Sequence, residues 1–237
     1  MVSKIILNNY NLRKRCINTV RLRECIHKNK IPKKLILCHG HLSPSYNFIK
    51  NKKNILFLDI REEIQPDIIF NINSKKINLH NNLRFQFTHI TSIYAPIYLF
   101  FDSKVDYRYF KNTKSNIKRE YYFNIFKNID GKVDYNIIKN SNIYFDERFI
   151  KTILFLLDLD GSMEFTDNFI YTNKDNCTLD NYEVIKIFEY FLGKYKNYFK
   201  INITETSSCI DINQRALYDN SQKKFVKITK IKNFYNN

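Results

Sequence analysis

The sequence has no tryptophan, only four glycines, four prolines and two methionines in 237 residues, and fewer acidic than basic side chains (23 against 39). Each scarcity excludes something. With so few glycines and prolines, a collagen-like or low-complexity chain is ruled out, and each of these residues marks a break in regular structure. No run of about 18 apolar residues occurs, so a membrane-spanning helix is not expected. The first residues, MVSKIILNNYNLRKR, hold no apolar stretch of signal-peptide length, and the expectation is a cytoplasmic or nuclear protein with no membrane partner. The five cysteines, Cys16, Cys25, Cys38, Cys177 and Cys209, are odd in number and show no C-x-x-C spacing, which argues against a disulfide framework and against a zinc knuckle.

What is abundant sets the class. Hydrophobic residues make up 44% and aromatic residues 16%, ample for one α/β core and against disorder. The formal net charge of +16 suits RNA or DNA as a partner through a basic surface. The same lysines also suit plain solvated faces in a sequence rich in Asn, Lys and Ile. The densest basic stretch is Arg13, Lys14, Arg15, Arg21 and Arg23, with Lys33 and Lys34 beyond it.

Spacing predicts a helix over 10–28, with Leu12, Cys16, Val20 and Ile26 towards one face. Four continuous apolar runs follow: Leu35 to Cys38, Ile55 to Leu58 closed by Asp59, Asp67 to Phe70 closed by Asn71, and Phe87 to Tyr94 closed by Ala95-Pro96. Continuous rather than alternating runs are the mark of strands buried on both faces, as in a parallel sheet covered by helices. The segment 97–145 is aromatic and basic, without a clear strand, and reads as an insert or lid. Asp146 is placed to cap a helix bearing Phe149, Ile150, Ile153, Leu154 and Leu157, which Gly161 ends, and a fifth strand is expected over Met163 to Tyr171. Asp180 and Glu183 have capping-box spacing before a helix with Val184, Ile187, Phe188 and Phe191. Ile201–Thr204 and Phe225–Ile231 read as a closing antiparallel pair.

Chemistry concentrates between Leu35 and Asn73. The first strand runs into Cys38-His39-Gly40-His41-Leu42 and then Ser43-Pro44, an N-cap followed by a first-turn proline. A helix opening at Ser43 turns its positive end to the carboxyl edge of that strand, where open α/β sheets bind ligands. Asp59 lies nineteen residues after Gly40, about the spacing at which a carboxylate accepts hydrogen bonds from a ribose. A strand-end Asp also serves as a simple turn former. Cys38, His39 and His41 have no partner pair at ligand spacing, so no metal site is expected, and Cys38 more readily fills a small core position than acts as a nucleophile. Glu62-Glu63 reads as a solvated turn.

The series LILCHG, NILFLDI, QPDIIFNI, FTHITSIYAP and LDLDGSMEF resembles the class I S-adenosylmethionine-dependent methyltransferases. The resemblance spans about 31–231 and is densest over 35–96. It implies a Rossmann-like α/β fold: a mostly parallel seven-stranded sheet with helices on both faces and an antiparallel C-terminal strand pair. The chain is thus expected to divide into a basic N-terminal helical extension over 1–30, read from its own spacing and charge, and a methyltransferase-like domain over 31–237. S-adenosylmethionine is the implied cofactor. Cys38, His39 and Gly40 then stand in the cofactor loop, Asp59 at the ribose, Asn71 beside the adenine and Ser92 at the methyl-donor end, with Ile60 and Ile72 as further cofactor-binding residues. Tyr94 lines the transfer site as the candidate catalytic residue. The sequence departs from the family in that His39, His41 and Leu42 stand where glycines are usual, and the fourth strand lacks the Asn/Asp-Pro-Pro-aromatic pattern. Two functions fit these residues: methyl transfer, with nucleic acid as the first substrate class, or a catalytically inactive methyltransferase-like scaffold that binds nucleic acid.

Overall fold

The computed structural model describes residues 17–18, 20–37, 54–92, 100–102, 135–140, 144–165, 181–204 and 225–233. In chain order these form β1 (Ile17–Asn18), α1 (Val20–His27), β2 (Lys34–Leu37), β3 (Ile55–Asp59), β4 (Ile68–Ile69), β5 (Phe87–Ser92), β6 (Phe101–Asp102), α2 (Tyr135–Asn140), β7 (Tyr144–Phe145), α3 (Glu147–Leu156), β8 (Leu157–Phe165), α4 (Asn181–Leu192), β9 (Phe199–Thr204) and β10 (Phe225–Lys230).

One sheet takes eight of the strands in the order β1-β4-β3-β2-β5-β8-β10-β9. The pairs β3–β4, β2–β3, β2–β5 and β5–β8 are parallel. β10 is antiparallel to both β8 and β9 and sits between them. The expected seven-stranded, mostly parallel sheet with a reversed C-terminal pair is therefore present. An eighth strand, the two-residue β1, is added antiparallel on the outer edge of β4.

The parallel strands read as continuous apolar runs because both of their faces are covered. Leu35, Leu37, Leu56, Leu58, Ile90, Met163, Phe165, Val226 and Ile228 point into the main core, where α3 contributes Phe149, Ile150, Ile153 and Leu154 and α4 contributes Val184, Ile187, Phe188 and Phe191. Phe145 stacks on Phe165 with ring centroids 5.6 Å apart, and Phe188 lies 5.4 Å from the same ring, which seats α4 on that face. On the opposite face, Ile36, Ile55 and Phe57 form a second small cluster. The second helical layer expected to open at Ser43 lies outside the described residues.

Several boundaries differ from expectation for physical reasons. The N-terminal helix covers Val20–His27, and its buried Leu22 belongs to the main core. Asp146 caps α3 by accepting from the Arg148 N–H at 2.8 Å, as its spacing predicted. The following strand, however, starts at Leu157, directly after the helix, not at Met163. Between Phe87↔Leu157 and His89↔Ser162 the register shifts, so β8 bulges through Asp158–Gly161. Gly161 lies inside this strand and does not end the unit before it. A Cβ there would stand 2.7 Å from the Phe87 carbonyl oxygen, so only glycine allows the two backbones to approach. Among the described residues of the aromatic insert, β6 pairs with β7, where no strand was expected. Just ahead of it, Phe100 stacks on Phe149 at 4.2 Å. The N-cap of α4, Asp180, is outside the described residues.

Candidate functional site

In an open parallel sheet the backbone at the carboxyl ends of the strands has unfilled hydrogen-bonding groups, and a crevice opens where the chain's progress across the sheet reverses. Here β2 is followed by β3 and β4 to one side, and the chain then returns to place β5 on the other side of β2. The reversal lies between β2 and β5. The carboxyl ends around it are those of β3 (Asp59), β4 (Ile69, leading to Asn71) and β5 (Ser92).

Asp59 is the last residue of β3 and only 2% exposed, in register with Ile69 of β4. Its backbone carbonyl accepts from the Phe70 N–H at 3.0 Å. Its side-chain Oδ1 accepts from the Arg61 N–H at 3.0 Å and from Arg61 Nε at 3.3 Å. A buried carboxylate is tolerated only with such partners. Ile60, next to it, is 59% exposed, an apolar side chain left in solvent beside the carboxylate. Across β4, Asn71 is exposed and its Oδ1 accepts from the Asn73 N–H at 3.0 Å, an Asx turn that fixes the loop. Ile72 is buried in the main core. Ser92 ends β5, 2% exposed, in register with Leu37 of β2 and Phe165 of β8. The strand ends thus gather Asp59, Ile60, Asn71, Ile72 and Ser92 along one edge. Cys38, His39, Gly40 and Tyr94 lie outside the described residues, as do His41, Leu42 and Ser43.

Two features of this region escaped sequence reasoning. Arg61 is an i+2 partner of Asp59, and only a search for a cation two residues past a strand-end acid finds it. The second is a buried polar row across the sheet, Thr91 of β5 and Glu164 of β8 in register, 0% and 1% exposed. Lys227 of β10 continues the row beside Glu164. Its one trace in the sequence is the Glu inside the apolar stretch Gly161 to Phe165. One step nearer the amino ends, His89 is held below the usual histidine range, first by burial and then by Lys34 and Lys227, while Glu164 acts in the opposite sense. Asp67, read as the opening of a strand, makes a clasp. It accepts from Arg21 at 2.9 and 3.0 Å and from the Phe57 N–H at 2.9 Å, while Arg21 also donates to the Ile55 carbonyl at 2.8 Å.

Among the described residues no group of three or more His, Cys, Asp and Glu side chains is arranged to hold a metal ion, and no helix is long and apolar enough to cross a membrane.

The order β4-β3-β2-β5-β8-β10-β9, with β10 alone reversed and inserted between β8 and β9, distinguishes this sheet from other doubly wound ones. The chain has a class I methyltransferase-like fold. No protein-family model and no curated protein matches its sequence. Among solved structures it is similar to a 16S rRNA (adenine(1408)-N(1))-methyltransferase from Catenulisporales acidiphilia, at 5% identity over 91% of this chain and 95% of that one, with a TM-score of 0.43. It is also similar to the antibiotic-resistance methyltransferase Kmr, at 7% identity over 92% and 96% of the two chains and a TM-score of 0.41. An antibiotic-related methyltransferase matches at 10% identity over 90% and 94%, with a TM-score of 0.38. Within the methyltransferase-like fold, the edge holding Asp59, Asn71 and Ser92 is the candidate site.

Proposed function

We propose that the chain is an S-adenosylmethionine-dependent methyltransferase acting on nucleic acid. The observation that carries this reading is the buried carboxylate of Asp59 at the carboxyl end of β3, beside the reversal point of the sheet. A pair of vicinal ribose hydroxyls is the ligand such an acceptor suits. The neighbours fit the rest of an adenosine. The exposed Ile60 offers an apolar face to a purine, and Asn71, with Oδ1 engaged in its own turn, retains amide N–H donors for a ring nitrogen.

When bound, S-adenosylmethionine supplies an electrophilic methyl group to a nucleophilic atom of the substrate. The chain's own contribution is to bind, orient and exclude water, which is worth about 7–11 kcal/mol of barrier lowering in well-oriented reactions. In this reading Asp59 would anchor the ribose, Arg61 would hold that carboxylate in place, and Ser92, at the end of β5, would face the methyl-donor end. Cys38, His39 and Gly40 are assigned to the cofactor loop, and Tyr94 to the transfer site, from the resemblance of the sequence. Nucleic acid is the favoured substrate class because the formal charge is +16.

Calorimetric titration with S-adenosylmethionine tests the reading. Wild type binds in the micromolar range, and Asp59→Asn, which keeps the shape and loses the charge, weakens binding tenfold or more, about 1.4 kcal/mol. If wild type binds no cofactor, methyl transfer is abandoned and the chain is a scaffold on the same fold.

A further inference from the structure

The amino ends of the parallel strands form the edge opposite Asp59, and basic side chains collect there. Lys28 and Lys30 follow the last turn of α1, their backbone N–H groups bonded to Glu24 and Cys25 carbonyls at 2.9 Å. Lys33 immediately precedes β2, and its carbonyl accepts from the Thr88 N–H at 2.9 Å and the His89 N–H at 3.2 Å, which brings the starts of β2 and β5 together. Arg84 stands just ahead of β5. Lys200 lies at the start of β9, and Lys232 just past the end of β10, where the Ile231 N–H bonds the Tyr198 carbonyl at 2.9 Å. All six are exposed.

Five of the six, all but Arg84, are unpaired, a property they share with Arg23, Lys75, Lys76 and Lys196 among the described residues. Elsewhere Arg21, Arg61, Arg148, Lys151, Lys186 and Lys194 are each held on a carboxylate. Two acids, Asp158 and Asp160 in the bulge of β8, interrupt the row, and Glu24 lies beside it on α1. From β2 through β5, β8 and β10 to β9 is four strand spacings, about 19 Å at roughly 4.8 Å each. Unpaired cations spread over such a length can meet several phosphates of one nucleic-acid backbone and release counterions on binding it.

We propose that this amino-end edge is a docking surface for the sugar–phosphate backbone of RNA, separate from the carboxyl-end site at Asp59. It reads charge and not sequence, since lysines on phosphates carry no base information. It holds an RNA against the protein whether or not the other edge performs methyl transfer, so its failure and that of the cofactor reading are independent.

The experiment measures anisotropy of a labelled single-stranded RNA from about 50 to 200 mM salt. Wild type is compared with the triple variant Lys33→Gln, Lys200→Gln, Lys232→Gln and with the same three positions changed to Arg. The glutamine variant is expected to lower the slope of log affinity against log salt by about 2, at roughly 0.7 per lost phosphate contact, and the arginine variant to keep it. These side chains are exposed, so the unfolding midpoint should not move, and an unchanged midpoint shows that the loss is one of binding. An unchanged slope in the glutamine variant overturns the proposal. So does binding of phosphatidylserine vesicles with no binding of RNA, which would assign the same charge to a membrane surface.

Discussion

Lys230 is the last residue of β10, has no solvent exposure, and places Nζ 2.7 Å from the Leu157 carbonyl and 3.1 Å from that of Leu154. The amine also lies 3.8 Å from the centre of the Phe85 ring. Burial lowers its pKa to about 8, and Arg84 adds to that effect while Asp158 opposes it. Because the folded pKa lies below the unfolded value, the unfolded chain binds more protons between pH 8 and 10.5. The contribution of Lys230 to stability therefore rises with pH across that window, by at most about 1.4 kcal/mol per unit. Denaturation of wild type and Lys230→Met at several pH values from 8 upward should show wild type gaining on the variant. A constant difference would mean the amine is not perturbed. Glu147 has the same sign of pH dependence in the acid range, but through favourable contacts and not through burial. Hydrogen bonds from Lys151, Lys194 and Tyr195 hold its carboxyl down to about 2, while burial, and then the contact with Glu147, raises the Tyr195 phenol. The stability from Glu147 is complete above about pH 4.5 and is lost as pH falls towards 2. Glu147→Gln should flatten the acid limb of the unfolding curve, and an unaltered limb would argue against the contact.

At the scale of elements, the same lysine explains a boundary that local reasoning misplaced. The run Leu154-Phe155-Leu156-Leu157 has no glycine and no proline, so nothing in it signals a helix end. The chain nonetheless turns from α3 to β8 at Leu157. Of the carbonyls at the helix end, those of Leu154 and Leu157 are taken up by Lys230, 76 and 73 residues away along the chain, and those of Phe155 and Leu156 by the Phe85 and Gln86 N–H groups. A cap supplied from that distance has no local signature, whereas the Asp146 cap at the other end, two residues from its partner, was legible. Gly161 was legible as special but misassigned, because a glycine that ends a helix and one that admits a neighbouring backbone look alike in sequence. The structure separates them by a test. Gly161→Ala should cost about 1–3 kcal/mol, the usual range for overpacking, since its Cβ would meet the Phe87 carbonyl at 2.7 Å. Chemical denaturation that finds less than a few tenths of a kcal/mol would show that the bulge relaxes freely.

For the whole molecule, the parallel strands, and Asp59 at the end of β3, were legible because strands buried on both faces leave continuous apolar runs, the second closed by Asp59 and the third by Asn71. What the sequence could not show is how the N-terminal residues join that sheet. A basic stretch reads as a separate extension because periodicity is local, and a carboxylate in a Pro-Asp motif does not announce a partner 46 residues earlier. In the structure β1 lengthens the sheet beside β4, Leu22 is buried in the main core, and Arg21 spans Asp67 and the Ile55 carbonyl. Removing residues 1–30 would withdraw the Arg21 cation from Asp67, which also accepts from the Phe57 N–H, and would leave the Leu22 pocket open. The buried leucine alone is worth roughly 1.5–3 kcal/mol. A chain of residues 31–237 should therefore unfold at a lower denaturant concentration than the full chain, with a loss of about 2 kcal/mol or more. Arg21→Ala should reproduce part of that loss, and Arg23→Ala, whose side chain is exposed on the same helix, should not. Equal midpoints for the full and shortened chains would mean that the first thirty residues are an appendage, and that the clasp between Arg21 and Asp67 contributes nothing to the domain.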